Sequence, residues 1–214
     1  MNVGILGSGD VARTLAAGFQ KHGHEVAIGT RTPEKLDEWA QELMINRVCS
    51  FREAADFGDI VVLAVKGQAA ADVLRLVGAD TLGGKTVIDV TNPISDKPPT
   101  NGVLNFFTSL DSSLMERLQQ EFPQAGFVKA FNSVGASCMV DPAFEEGLPT
   151  MFICGNDRKS KVTVGLILEE FGWGVADMGM AEAARAIEPL CMLWCIPGFL
   201  HDDWQHAFKL LTMN

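Results

Sequence analysis

Positive charge is scarce in this chain: 17 lysines and arginines stand against 27 aspartates and glutamates, a net charge of −10 over 214 residues. Non-specific nucleic-acid binding needs a basic footprint, so nucleic acid is not expected as a partner. A single anionic cofactor stays open, because local amides and one or two cations can hold it. Long apolar runs are missing too. The longest, residues 189–200, is well short of the roughly 20 residues of a membrane span, and prolines interrupt it. The N-terminus runs directly into Met1-Asn2-Val3-Gly4-Ile5-Leu6, without the basic start and apolar core of a secretory signal. Five cysteines without paired spacing predict reduced thiols. These absences together predict a cytoplasmic protein with no membrane partner. Internal repeats and low-complexity stretches are lacking as well.

What is present is ordinary core-forming material, 47% hydrophobic and 21% charged. Short β-branched runs alternate with helical segments, a pattern that predicts an α/β fold, Rossmann-type and doubly wound, with a mainly parallel sheet. Strands are predicted at 3–6, 25–29, 60–65, 86–90, 127–131, 151–154 and 174–177, with a short one around 47–50. Helices fit at 10–22, 68–77, 112–120 and 158–171. Thr32-Pro33-Glu34 opens another, with a capping threonine and proline at its first position. Residues 91–101 read as a loop. From Met180 onward the pattern turns helical and apolar. The expected division is 1–178 as a nucleotide-binding domain and 179–214 as a C-terminal helical appendix, packed on that domain or on a second subunit.

Gly7-Ser8-Gly9-Asp10-Val11-Ala12 is a G-x-G-x-x-A sequence that directly follows a strand and opens a helix. The first glycine permits the tight turn and the second lets backbone approach a pyrophosphate. Ala12 allows close helix–strand packing. The helix N-terminus offers free N–H groups to phosphate, and Asp10 is expected to cap it. NAD-binding units place an acid at the end of the second strand to bond the ribose 2′-hydroxyl. Here that strand ends Gly29-Thr30-Arg31, with Lys35 one turn on. An arginine fork suits a 2′-phosphate, Thr30 adds a hydroxyl and Lys35 a second cation, so NADP(H) is expected over NAD(H). Ala64-Val65-Lys66 and Thr91-Asn92-Pro93 follow later strands and should line the same crevice, with Asn92 able to bond the nicotinamide or its ribose.

The chain offers no convincing nucleophile or acid–base pair, which suits hydride transfer between bound cofactors. Lys129 is the most interesting charge. It is read either as a proton donor whose pKa burial lowers or, the favoured reading, as the structural partner of a carboxylate such as Glu188. Cys191 and Cys195, at i and i+4, read as small buried residues rather than metal ligands, and no metal is expected. His201 and His206 are given no role. Met178, Met180, Met192, Leu193 and Trp194 could line an acceptor pocket, but a core or dimer face is favoured.

In chain order, Gly7–Ala12 with Gly29-Thr30-Arg31-Thr32-Pro33, Asp89-Val90-Thr91-Asn92-Pro93, Val128-Lys129-Ala130-Phe131-Asn132, Phe152-Ile153-Cys154-Gly155-Asn156-Asp157, Asp177-Met178-Gly179 and Ala184-Arg185-Ala186-Ile187-Glu188-Pro189-Leu190 carry a resemblance. The chain resembles the NADP oxidoreductases dependent on coenzyme F420 and the related reductase domains of the STEAP ferric reductases. The resemblance implies that Arg31 and Thr30 grip the 2′-phosphate, and that Val65-Lys66, Asn92-Pro93 and Asn132 surround the nicotinamide. It further implies a deazaflavin or flavin ring near residues 132–136 and the start of the C-terminal helix, and a homodimer formed through that region. Asn132 stands where an F420 reductase carries histidine, and residues 201–214 do not look like that family's tail. Coenzyme F420, FMN and FAD therefore all stand as acceptors. The catalytic candidates are Lys129 and Asn132. The expected function is hydride transfer between NADPH and such an acceptor, against two alternatives: a reductase of a small imine or carbonyl, and a non-catalytic NADP(H)-sensing module.

Overall fold

The computed structural model describes residues 1–45 and 47–213, and for Lys35 and Asp37 the backbone only. Its apolar runs become β1 (Asn2–Leu6), β2 (Glu25–Gly29), β3 (Arg47–Cys49), β4 (Ile60–Leu63), β5 (Thr86–Asp89) and β6 (Gly126–Lys129). These pair in the order β3-β2-β1-β4-β5-β6, all parallel. All four residues of β4, Ile60-Val61-Val62-Leu63, are buried, because a parallel sheet is covered on both faces and its strands carry no polar side. Alternate residues feed two cores. Val3, Ile5, Ile60 and Val62 enter one, and Leu6, Val61 and Leu63 enter the other.

The first core is covered by α1 (Asp10–Lys21) and α7 (Arg158–Glu170), where the Phe19 ring meets Phe171 just beyond α7 at 4.9 Å between centroids. The second is covered by α3 (Phe51–Phe57), α4 (Ala70–Val77), α5 (Ala79–Leu82) and α6 (Leu114–Glu121). The expected doubly wound, mainly parallel architecture is what the chain adopts. A second, two-stranded parallel sheet of β7 (Thr150–Ile153) and β8 (Gly174–Asp177) touches β6 through one antiparallel bridge, Lys129 to Cys154.

Several expectations need correction. β4 stops at Leu63 rather than residue 65, and β6 stops at Lys129 because Phe131 turns into the left-handed region at φ 59°. Thr32 makes no side-chain cap; Pro33 instead opens a short 3-10 turn, Pro33–Lys35, and α2 (Asp37–Glu42) follows. α3 was not anticipated, although Ser50-Phe51-Arg52-Glu53 forms a reciprocal capping box at its start. The same device, Ser113 with Glu116, starts α6.

The C-terminal appendix is only partly helical. α8 (Ala184–His201) runs straight through Pro189 and Pro197, so the prolines do not interrupt it. It ends where Asp202 turns left-handed at φ 56°. The following residues are not helical but fold back along it. Trp204 packs on Gly198, the Trp194 indole donates to the His206 carbonyl at 2.8 Å, and Thr150 N–H donates to the Phe208 carbonyl at 2.8 Å. With its preceding 3-10 turn, the segment Ala181–His201 has a mean hydropathy of 1.3 in its most apolar window and a length sufficient to cross a membrane; a third of that window is buried against the rest of the chain.

Candidate functional site

Strand order reverses between β1 and β4, and ligands in such sheets bind in the crevice beyond the carboxyl ends of the strands at that point. Gly7 opens the crevice with φ +139°, and a Cβ there would overlap the Ala64 carbonyl oxygen. Its N–H is held by the Gly29 carbonyl at 3.0 Å. Gly9 differs: nothing lies within 4 Å of where its Cβ would sit. The turn is therefore closed behind and open in front. Gly9, not Asp10, is the N-cap of α1, and no side chain caps it. The expected cap is thus corrected: Asp10 is an exposed first helical residue, and the first-turn N–H groups remain free for an external acceptor. The half-buried Ser8 lends its carbonyl to Arg13 Nε at 3.2 Å, and the Arg13 guanidinium lies 5.5 Å from the centre of the Trp39 ring. Val11 is half-buried against the first core. Arg13 was missed in the sequence, although it immediately follows the motif.

At the end of β2, Thr30 is buried, its N–H bonded to the Cys49 carbonyl at 3.0 Å and its hydroxyl oxygen accepting from Thr32 N–H at 3.3 Å. Arg31 is exposed, and among the described residues no carboxylate pairs with it. The side chain of Lys35 lies outside the described residues.

Across the crevice, Ala64 and Val65 are half-buried and Lys66 is exposed. The next residue, Gly67, went unremarked in the sequence. A Cβ on it would overlap the Asn92 carbonyl oxygen, so glycine is what lets the turn after β4 touch the turn after β5. Pro93 is buried beside it. Asn92 Nδ2 donates to the Asn132 carbonyl at 2.8 Å. Asn132 Nδ2 donates to Asn92 Oδ1 at 3.3 Å and to the Ile187 carbonyl of α8 at 2.9 Å. Asn132 is 2% exposed, and its Oδ1 is buried without a hydrogen-bond donor. The left-handed Phe131 turns the chain so that this amide faces Asn92, a local strain of about 1–3 kcal/mol.

Lys129 and its partners are all interior: Lys129 and Asp89 are 0% exposed and Glu188 1%. Nζ lies 2.7 Å from Asp89 Oδ2 and 3.1 Å from Glu188 Oε1, and donates to the Thr91 carbonyl at 2.8 Å. The favoured pairing with Glu188 is present, and the alternative, a donor whose pKa burial lowers, does not hold. Burial does push the ammonium down, but attraction to Asp89 and Glu188 outweighs it and the net displacement is upward. A fully buried, doubly paired ammonium is not a ready proton donor. Glu188 also accepts the Leu114 and Met115 N–H groups, at 2.9 and 3.0 Å, at the N-terminus of α6. Burial beside this cluster pushes the Cys154 thiol up to about 12.

Elsewhere, Cys191 is buried and Cys195 half-buried, and among the described residues no group of histidine, cysteine and carboxylate side chains could hold a metal. Trp194 is buried, whereas Met178, Met180 and Leu193 are exposed. A recess of about 410 Å³ beside Gln20, His24, Glu25 and Arg47 lies at the amino ends of the strands, the wrong end for this chemistry. A second of about 270 Å³ lies between the 106–113 segment and α8, with Glu188 and Met192 in its wall.

The arrangement can hold an extended anionic dinucleotide and can supply amides, but no nucleophile, at its inner end. Residues 2–93 match the model of the family described as NADP oxidoreductase, coenzyme F420-dependent. A solved structure from Arthrobacter sp. FB24, provisionally named an F420-dependent NADP-reductase, is 32% identical with a TM-score of 0.92 over 99% of this chain and 100% of that one. The F420-dependent NADP reductase of Methanothermobacter marburgensis is 28% identical over 90% of each chain. Metalloreductase STEAP3 of Rattus norvegicus is 32% identical over 92% of this chain, which spans only 38% of that protein's length.

Proposed function

The chain belongs to the family of coenzyme F420-dependent NADP oxidoreductases, and from that premise we propose that it transfers hydride between NADPH and a flavin-like acceptor, the deazaflavin F420 foremost and FMN or FAD next. One observation supports the nucleotide half above others. The open Gly9 at an uncapped helix N-terminus shares the crevice with Arg31 at the end of β2, where a carboxylate would mark NAD. In this reading the Gly7-Ser8-Gly9-Asp10-Val11 backbone holds the pyrophosphate, and Thr30, Arg31 and Lys35 hold the 2′-phosphate. Ala64, Val65, Lys66, Asn92, Pro93 and Asn132 line the nicotinamide. Residues 1–178 carry the nucleotide site and 179–214 the extension, in a cytoplasmic homodimer.

When bound, NADPH supplies the hydride. The residues present then have to orient two rings within about 3–3.5 Å and keep water away. Asn92 and Asn132, fixed by their mutual hydrogen bonds, can orient without titrating. The reading as an imine or carbonyl reductase leaned on Lys129 as donor and loses that support, because Lys129 is sealed between Asp89 and Glu188. The sensing reading has no observation in its favour. The deciding experiment adds F420, FMN and FAD separately to protein with NADPH or NADH and follows nicotinamide absorbance. Acceptor-dependent oxidation of NADPH, faster than that of NADH, is expected. Tight NADPH binding with no oxidation by any of the three would refute the hydride-transfer reading. Equal use of NADH would refute the role given to Arg31.

A further inference from the structure

The buried charge cluster has no part in the hydride chemistry just described, yet three of its hydrogen bonds end on Thr91, the residue before Asn92. Asp89 Oδ1 accepts from both the N–H and the hydroxyl of Thr91, at 2.9 and 2.6 Å. Lys129 Nζ holds the carbonyl of the same residue at 2.8 Å. Thr91 is thus gripped at all three polar groups, and the next residue is Asn92. From the opposite side, Glu188 meets Nζ at 3.1 Å, while the carbonyl of its neighbour Ile187 accepts from Asn132 Nδ2 at 2.9 Å. One turn of α8 therefore touches both amides that face the crevice, through Lys129 and Thr91 to Asn92 and directly to Asn132.

Stability alone is a poor reason for such a cluster. Removing two carboxylates and an ammonium from water costs several kcal/mol per ion, and well-packed apolar residues often do as well. What charges provide and apolar packing does not is a fixed distance and direction. We propose that the Asp89–Lys129–Glu188 cluster is a positioning element that sets the Thr91-Asn92 turn and couples the seating of the C-terminal helix to the nicotinamide end of the site. The inference rests on the assignment of that end to nicotinamide, and it goes further in making Glu188, on an element outside the nucleotide-binding sheet, a determinant of cofactor geometry.

The test separates the two ends of the cofactor. NADPH spans the whole crevice, whereas adenosine 2′,5′-bisphosphate reaches only the 2′-phosphate and adenine end. Glu188→Gln removes the charge facing Lys129 and keeps a carbonyl acceptor for one of the two N–H groups of α6, since one carboxylate oxygen becomes an NH2. Lys129→Met removes the bond to the Thr91 carbonyl and leaves Asp89 and Glu188 without their shared cation. Each variant is titrated with both ligands, and turnover and thermal midpoint are measured alongside. Glu188→Gln is expected to weaken NADPH about tenfold while leaving the bisphosphate unchanged, and to lower kcat more than it raises KM. Lys129→Met, where it folds, is expected to do the same more strongly, on the order of a hundredfold in kcat, since small misplacements are that costly. If Glu188→Gln shifts the thermal midpoint but changes neither affinity nor kcat, the cluster is structural only and the inference fails. Equal weakening of both ligands also overturns it, because that reports general loosening. Wild-type protein that binds the bisphosphate but gains nothing from the nicotinamide half would instead refute the nicotinamide assignment, and the inference with it.

Discussion

Glu116 offers a test of how the C-terminal helix is fastened. It closes the capping box of α6, accepting from Ser113 N–H at 2.8 Å, and the Arg185 guanidinium of α8 grips it through Nε and Nη2 at 3.0 and 2.5 Å. The Arg185 bonds, opposed by burial and helped by Ser113, hold its carboxyl at about 2 against an ordinary 4.5. Taken whole, that depression corresponds to about 3 kcal/mol. The Arg185 side chain is 41% exposed, so water screens the pair and about 1–2 kcal/mol is the expected net value. Glu116→Gln keeps the box, since glutamine serves at that position, and removes the charge together with one of the two oxygens that Arg185 grips. Because the folded pKa lies below the unfolded one, the stabilisation is complete above about pH 4.5 and is lost as pH falls toward 2. Urea unfolding of both proteins from neutral pH downward should show a gap of about 1–2 kcal/mol at pH 7 that narrows steadily below pH 4.5. A gap that keeps its size down to pH 3, or is absent at pH 7, would refute this account.

Three further outcomes follow from single contacts. Arg31→Ala should weaken NADPH by about 1.5–3 kcal/mol, the worth of charge-assisted hydrogen bonds, while NADH affinity stays put; a matching loss for NADH would place Arg31 elsewhere than at the 2′-phosphate. Gly67→Ala drives a Cβ into the Asn92 carbonyl and should cost about 1–3 kcal/mol of stability, together with NADPH affinity; an unaffected NADPH titration would show that the two turns need not touch. Trp204→Ala removes the ring packed on Gly198 and set 5.6 Å from Trp194 and 5.3 Å from Phe199. Limited proteolysis should then cut faster beyond residue 202, and an unchanged rate would mean that other contacts hold the tail.

The geometry of the Gly-x-Gly turn, proposed to hold the adenosine half of the cofactor, was legible in the sequence because its determinants are contiguous. A buried strand, a Gly-x-Gly turn and a helix start lie within residues 2–12, and the arginine stands immediately after the second strand. The sheet was legible for a similar reason, since runs such as Ile60-Val61-Val62-Leu63 carry the signature of double burial. Strand ends were not, because they are set by distant contacts: Ala64 leaves its strand where Gly7 packs on its carbonyl. α3 announced itself through Ser50 and Glu53, a local signal that was overlooked. Lys129 could be paired on paper with Glu188, but Asp89 and the grip on Thr91 depend on which strands lie side by side. Burial is readable from an apolar run, whereas the number of opposing charges, which decides the direction of the Lys129 pKa displacement, is not.

This division between local and assembled determinants bears on how the two ends of the site can vary. The residues proposed for the pyrophosphate and the 2′-phosphate belong to one βαβ unit, and a substitution there is expected to change one ligand group at a time. The inner end is assembled from β5, β6 and α8, with Asn92, Asn132 and Ile187 joined by hydrogen bonds and Lys129 tying Thr91 to Glu188. Changes in α8 or in the tail folded on it can therefore reach that end without touching the nucleotide motif. Trp194 sits against Gly135, three residues beyond Asn132, and stacks on His206 of the tail at 5.0 Å. The tail at Trp204 and His206 is thus packed, with Trp194, against Gly135 in the region proposed for the hydride acceptor. Acceptor preference should follow residues 194–206, and cofactor preference residues 29–31, with little crossover between the two.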